Sequence, residues 1–288
     1  MFQVNVIFHS AATVKFDEHL RAALATNVQA PLYLLDLARN MKGLKVFMHI
    51  STAYSNSHLS RVEEKYYPFL GKWPNTYTFT KALTEKELRK HCSGVPLSIF
   101  RPAIGMLRTI QVNRDMTADL VPVDFVVNAL IAASYSVSQA YNTSVKPQEP
   151  PIFNFVSSVE NRMTWGDFFN QNMKRVDRQP VSNAFSSVIS YFTTKEIYFC
   201  NRRTQELWNT TSDLDKQIFP FSMKDINWDE YFEYYLQGIR QYLFKESEDT
   251  VPQARIKWRR LYYLHQIVRV TFFAFVIYLI WTILDRLI

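Results

Sequence analysis

The sequence predicts an α/β fold: a partial doubly wound parallel sheet lacking its first strands, then a smaller, mainly helical domain and a C-terminal membrane helix. Two observations lead to this reading. From Val4 to Pro102, short apolar runs alternate with segments of helical period, the pattern of a parallel sheet covered by helices. Near the end lies the most apolar stretch of the chain, Val270 to Leu284, behind a basic cluster.

Taken in order, Val4-Asn5-Val6-Ile7-Phe8 reads as a buried strand opening onto a small-residue loop, His9-Ser10-Ala11-Ala12. Small side chains there let a backbone approach a ligand closely. Leu20, Ala23, Leu24, Val28, Leu32, Leu35 and Ala38 share one side of a helix expected between Glu18 and Arg39. Asn27 falls in its middle, where asparagine is disfavoured, and is expected to tie neighbouring strands or a water together. A second buried strand runs from Leu44 to His49, with Ser51 and Thr52 just beyond its carboxyl end, where open α/β sheets bind ligands. A helix from Tyr77 to His91 follows, and Pro96 to Pro102 forms a third strand closed by proline.

Two motifs carry chemistry. His49-Ile50-Ser51-Thr52-Ala53-Tyr54 and Tyr77-Thr78-Phe79-Thr80-Lys81 together supply a hydroxyl, a phenol and an ammonium, the groups a nicotinamide-dependent carbonyl reductase needs. Tyr77 and Lys81 are four apart and so share a helix face. The ammonium is expected to draw the phenol's pKa from about 10 towards neutrality. A tyrosine so placed protonates a carbonyl oxygen while a neighbouring hydroxyl, Thr52 with Ser51 in reserve, holds it. His9 and His49, on apolar strands, read as satisfied core residues.

Composition bounds the remainder. The 288 residues are 48% hydrophobic and 15% aromatic, enough for a substantial core. Cys92 and Cys200 fit a reducing compartment, and no His/Cys pair shows metal-ligand spacing. The net charge of +7 does not indicate nucleic-acid binding, because the densest basic group, Arg255, Lys257, Arg259 and Arg260, flanks the apolar stretch instead. That stretch holds 15 uncharged residues, about 22 Å as helix against a roughly 30 Å hydrocarbon core. Counted from Leu261, with Arg269 snorkelling to the surface, it becomes long enough to span. A helix lying in one leaflet is the other arrangement.

The blocks His9 to Asp17, Asn27-Val28, Ser51 to Tyr54, Tyr77 to Leu83 and Arg101-Pro102 resemble the extended short-chain dehydrogenase/reductase superfamily. More narrowly they look like insect-type fatty acyl-CoA reductases, which make long-chain alcohols from acyl-CoA with NADPH. Asp119 to Asn128 continues the likeness, as do Tyr191 to Glu196, Ile226 to Phe232 and Gly238 to Leu243, which are similar to that family's C-terminal domain. The resemblance implies an NADP-binding Rossmann-like reductase domain over 1–155, a C-terminal domain over 156–250 and an anchoring helix over 261–285. It implies Tyr77, Lys81, Thr52 and Ser51 as the catalytic set. The cofactor would lie against Ala11, Ala12, Asn27, Tyr77, Lys81, Arg101 and Pro102, with a long-chain acyl-CoA as substrate. It places the protein on a cytosol-facing membrane, endoplasmic reticulum or peroxisome, in contact with membrane lipid.

The chain also departs from that family. Its six glycines are so spread that no two fall within ten residues, so the T-G-x-x-G-F-x-G loop that cradles the cofactor pyrophosphate is absent. The sequence starts at what would be the family's fourth strand, and it is shortened after Met106 and between Met173 and Tyr191. The expectation is that the chain as written binds NADPH weakly. A catalytically silent membrane-bound relative is the second reading. Another extended dehydrogenase, such as a hydroxysteroid dehydrogenase, is the third, opposed by the C-terminal likeness.

Overall fold

Four short strands lie side by side in one parallel sheet in the computed structural model, which describes residues 4–103, 113–175, 194–243 and 245–285. They are β1 (Val6–His9), β2 (Val46–Ile50), β4 (Leu97–Pro102) and β5 (Ile152–Phe155), paired in the order β1-β2-β4-β5. Every residue of β4 and β5 is buried, as expected of parallel strands covered on both faces. Parallel neighbours need crossovers, and helices supply them: α1 (Leu20–Leu24) and α2 (Ala30–Arg39), then α3 (Thr76–His91), then α4 (Val123–Asn142).

Leu35 and Ala38 of α2 and Leu88 of α3 pack with Phe47, Leu97, Ile99 and Ile152 into the core on one face of the sheet. Helix α4 lies against β2, β4 and β5 and buries Val126, Ala129, Ala133 and Val137. The fold is therefore doubly wound α/β, as the apolar runs predict. Strand β5 has no forecast in the sequence; its four residues are too few to show a period. A second, two-stranded parallel sheet pairs β3 (Arg61–Val62) with β6 (Tyr198–Phe199) over a small cluster of Ala53, Val62, Ala103, Val156, Ile197 and Phe199.

Between α1 and α2 the chain makes one π-helical turn, Ala25–Gln29. Its cause is local. Pro31 has no N–H to give the carbonyl four residues back, that of Asn27, so the ladder opens there. The hydroxyl of Thr84 donates to that carbonyl instead, at 2.5 Å.

The chain divides into two units, residues 1–168 with 185–226, and 169–184 with 227–288. The first holds both sheets and the helices already described, together with α6 (Arg202–Thr210) and α7 (Asp213–Ile218), the latter capped by Ser212 accepting from the Asp215 amide. Helix α5 (Trp165–Arg175) runs from the first unit into the second. In the second, Arg175 donates from Nε to Glu233 at 2.9 Å and from Nη2 to the Asp229 carbonyl at 2.7 Å, fixing α8 (Trp228–Gly238). The remaining helix, α9 (Val251–Asp285), is 35 residues long. Leu261, Phe272 and Ile277 along it stand more than half exposed, and Glu248–Tyr278 is long and apolar enough to cross a membrane. The segment Ile104 to Ile110 and residues Tyr191, Phe192 and Thr193, singled out above, lie outside the described residues, as does most of the shortened stretch before Tyr191.

Candidate active site

Tyr77 and Lys81 lie on the first turns of α3, whose start is set by Asn75: its side chain accepts from the Thr78 amide at 2.9 Å. The amide of Thr76 donates to the Phe16 carbonyl at 3.2 Å, which pins this helix end to the loop following β1. The Phe16 ring lies 5.7 Å from that of Tyr77. Thr52, in extended conformation just past β2, caps a short 3₁₀ turn (Ala53–Asn56) by accepting from the Tyr54 amide at 3.3 Å. Its hydroxyl stands near enough to the Tyr77 phenol to draw that phenol's pKa down. The predicted phenol and hydroxyl thus meet at the carboxyl end of β2.

Lys81 reaches down the same face. Its Nζ donates to the Ile50 carbonyl at 2.6 Å and lies 3.4 Å from His49 Nε2, with the whole residue 2% exposed. Burial lowers its pKa to about 8, opposed by the Glu85 charge. Tyr77 departs from the sequence expectation: burial pushes its pKa up to about 12, and the Thr52 hydroxyl only partly offsets this. The physical reason is that the site is dry and Lys81 turns to a carbonyl and an imidazole instead of to the phenol. Tyr77 is therefore a protonated phenol at neutral pH, the form a proton donor requires.

Asn27 sits in the π turn, 1% exposed. Its side chain accepts from the Thr13 amide at 2.8 Å and donates to the Thr13 carbonyl at 3.1 Å and to Thr80 Oγ1 at 3.0 Å. It clamps the loop after β1 onto α3, beside the Ala11 and Ala12 backbone, both of which keep some exposure.

Two predicted residues are engaged elsewhere. Ser51 donates to Glu85 Oε1 at 2.5 Å. Arg101, fully buried, forms a bidentate pair with Glu85 (3.0 and 2.5 Å) and donates to the carbonyls of Glu63 and Lys65. Its guanidinium makes four hydrogen bonds to protein groups, which fixes the end of β4. Pro102 is buried in the same strand end, in register with Phe155.

Sequence reasoning missed Glu85; His9 and His49 are the buried, hydrogen-bonded residues it expected. The two imidazoles meet Nδ1 to Nδ1 at 2.9 Å and stack with centroids 5.1 Å apart. Burial and Lys81 push His9 down to about 4 and His49 well below the ordinary histidine range. The two lie at the carboxyl ends of neighbouring strands; β1 is the edge of the sheet, so Val6 and Phe8 are exposed and not buried as the apolar run predicts.

A nicotinamide cofactor can be tested against these groups. Lys81 offers one ammonium N–H beyond its two contacts, next to a protonated phenol and a small-residue loop. That donor set fits the ribose and nicotinamide end of such a cofactor.

Residues 1–106 match a NAD-binding family model described as male sterility protein, and residues 164–246 match a second model of the same description. Fatty acyl-CoA reductase wat of Drosophila melanogaster is 26% identical, covering 99% of this chain and 74% of that protein. Fatty acyl-CoA reductase 2 of Bos taurus is 28% identical over 93% of this chain and 72% of that protein. The first alignment runs over 390 residues against 288 here, so that relative carries internal segments this chain lacks. Among solved structures, the terminal R domain of the myxalamid PKS-NRPS pathway aligns with a TM-score of 0.58 at 16% identity, covering 83% of this chain and 68% of that one. A UDP-glucuronic acid 4-epimerase from Bacillus cereus in complex with NAD aligns at 0.57 and 16%, covering 85% and 75%. At that identity the likeness is one of fold, which is Rossmann-like.

Proposed function

This chain belongs to the male sterility protein family of fatty acyl-CoA reductases, and from that membership we propose that it reduces long-chain acyl-CoA to a primary alcohol with NADPH. The observation that carries the reading is the meeting of Tyr77, Thr52 and Lys81 at the carboxyl end of the sheet. Bound NADPH would supply hydride to the acyl carbon, held by Tyr77 and Lys81 at its ribose and by the Ala11-Ala12 loop.

The chain's own groups handle the oxygen and its proton. Thr52 donates to the carbonyl oxygen, and Tyr77 protonates that oxygen as charge develops on it. Loss of the CoA thiol then yields an aldehyde; a second NADPH would supply hydride to its carbonyl carbon, and the same groups protonate its oxygen again to give the alcohol. Tyr77→Phe keeps the ring and removes the proton, so acyl-CoA-dependent NADPH oxidation should fall by about 10²–10⁴-fold. An unchanged rate rejects Tyr77 as the acid.

Helix α9 would hold the enzyme at a cytosol-facing membrane, endoplasmic reticulum or peroxisome, where substrate and product partition. Arg255 to Arg260 would stay on the cytosolic side. Deleting residues 261–288 should release the protein from carbonate-washed membranes; retention there would show that another segment anchors it.

A further inference from the structure

We propose that α9 carries a binding surface for acidic phospholipids: Arg255, Arg259 and Arg269 form one stripe that takes lipid phosphates, so that the protein selects anionic membranes over neutral ones. This rests on the reading above only in that α9 meets a bilayer; the preference for charge is the added step.

The stripe follows from helical spacing. Positions 255, 259, 262, 266 and 269 recur every three or four residues, so Arg255, Arg259, Tyr262, Gln266 and Arg269 share one face of α9 over about 21 Å. All three arginines are exposed on it. Trp258, at its margin, stacks on Tyr262 with ring centroids 5.6 Å apart and planes 14° from parallel. Past Arg260 the opposite side is apolar: Leu261, Leu264, Ile267 and Val268 are each more than half exposed. A basic stripe, an apolar back and aromatic rings at the boundary are what a helix lying at the headgroup level presents.

Length leads to the same segment. At 35 residues α9 is about 52 Å long, against a hydrocarbon core of roughly 30 Å. Part of it therefore stays at the headgroups, and charge decides which part: residues 251–269 hold five Lys and Arg, and Val270 to Leu284 hold none.

Charge also names the partner. From Val251 to Leu284 there is no Asp or Glu, so the helix supplies no counter-charge of its own. The guanidinium fork matches a phosphate with two parallel N–H donors. A zwitterionic headgroup already balances its phosphate with its own cation, whereas an acidic phospholipid keeps a net negative charge. A neutral bilayer satisfies the apolar back and the aromatic rings equally well, so the arginines alone discriminate. Arg269 is the informative member. It lies about 14 Å along the helix from Arg260, beside Ile267 and Val268, and reaches phosphate when those two face the acyl layer.

The full chain, synthesised without detergent beside unilamellar vesicles and recovered by flotation, tests this. The vesicles are phosphatidylcholine alone or phosphatidylcholine with phosphatidylserine, at rising lipid concentration. Binding should be tighter to the acidic vesicles, and added salt should shrink the advantage. Arg259→Gln and Arg269→Gln should each weaken binding to the acidic vesicles about fivefold and leave binding to phosphatidylcholine unchanged. Equal binding of the unaltered chain to both vesicles overturns the proposal while leaving the anchor standing. A loss from Arg259→Gln with none from Arg269→Gln also overturns it, because the basic cluster would then merely flank a span. Binding to neither vesicle removes the anchor and this proposal together.

Discussion

Two cations are buried in the first unit, and they are treated in opposite ways. Arg101 is fully buried against a carboxylate, Glu85, which itself has a second donor in Ser51. Lys81, 2% exposed, has no carboxylate within hydrogen-bonding distance among the described residues; it meets a carbonyl and a neutral imidazole. Tyr77, Lys81 and Glu85 recur every four residues along α3, so one helical stripe serves both arrangements. A buried pair is a fixed strut. A buried cation held by neutral groups is poised to lose its proton, and that is where we place the chemistry.

The widest separation between the two should appear on neutralising each in turn. Arg101→Met leaves the Glu85 carboxylate buried and uncompensated, which costs about 3–5 kcal/mol. Lys81→Met removes a charge the fold disfavours, so stability at pH 7 should hold or rise while reduction is lost. Urea unfolding of the two variants followed at the sheet-bearing unit checks this; equal destabilisation would erase the distinction.

Titration sharpens it. The folded pKa of Lys81, about 8, lies below the 10.5 of the free side chain. Between those values the unfolded chain binds the extra proton, so Lys81's contribution makes stability rise with pH across that window. Activity should move the other way: kcat/KM falls as pH passes about 8, because the neutral amine would offer the cofactor ribose only an uncharged, weaker donor. Tyr77, pushed up to about 12, stays protonated throughout. A profile flat to pH 10 would show that the Lys81 charge is not required.

This contrast explains what could be read from the chain. Tyr77, Lys81 and Thr52 were legible because four-residue helical spacing and the carboxyl end of a strand are local facts. Glu85 was equally local, one turn beyond Lys81, but a lone carboxylate on a helix carries no sign of being buried. Arg101 signalled importance without direction: only the partner 16 residues back shows that it braces a strand. The histidine pair depends on β1 and β2 being neighbours in a register that pairs His9 with His49, which no period reveals. Asn27 was rightly marked as out of place in a helix, whereas the π turn around it follows from Pro31, four residues on.

The smallest expected effect separates adjacent hydroxyls. Ser51 and Thr52 point to opposite arrangements, as successive residues leaving a strand do: Ser51 to Glu85 and the strut, Thr52 to Tyr77 and the reacting oxygen. Ser51→Ala removes one hydrogen bond to a charged group that keeps its bidentate arginine, a loss of about 1.5–3 kcal/mol at most, with kcat close to wild type. Thr52→Ala should leave stability within about 1 kcal/mol, since its 3₁₀ cap is weak at 3.3 Å. It should still lower kcat, because the carbonyl oxygen loses a donor as negative charge grows on it. Unfolding curves and initial rates on the same two preparations decide the matter. If Ser51→Ala costs the activity and Thr52→Ala the stability, the two hydroxyls have been assigned the wrong way round, and the poised cation would extend through Ser51 into the strut.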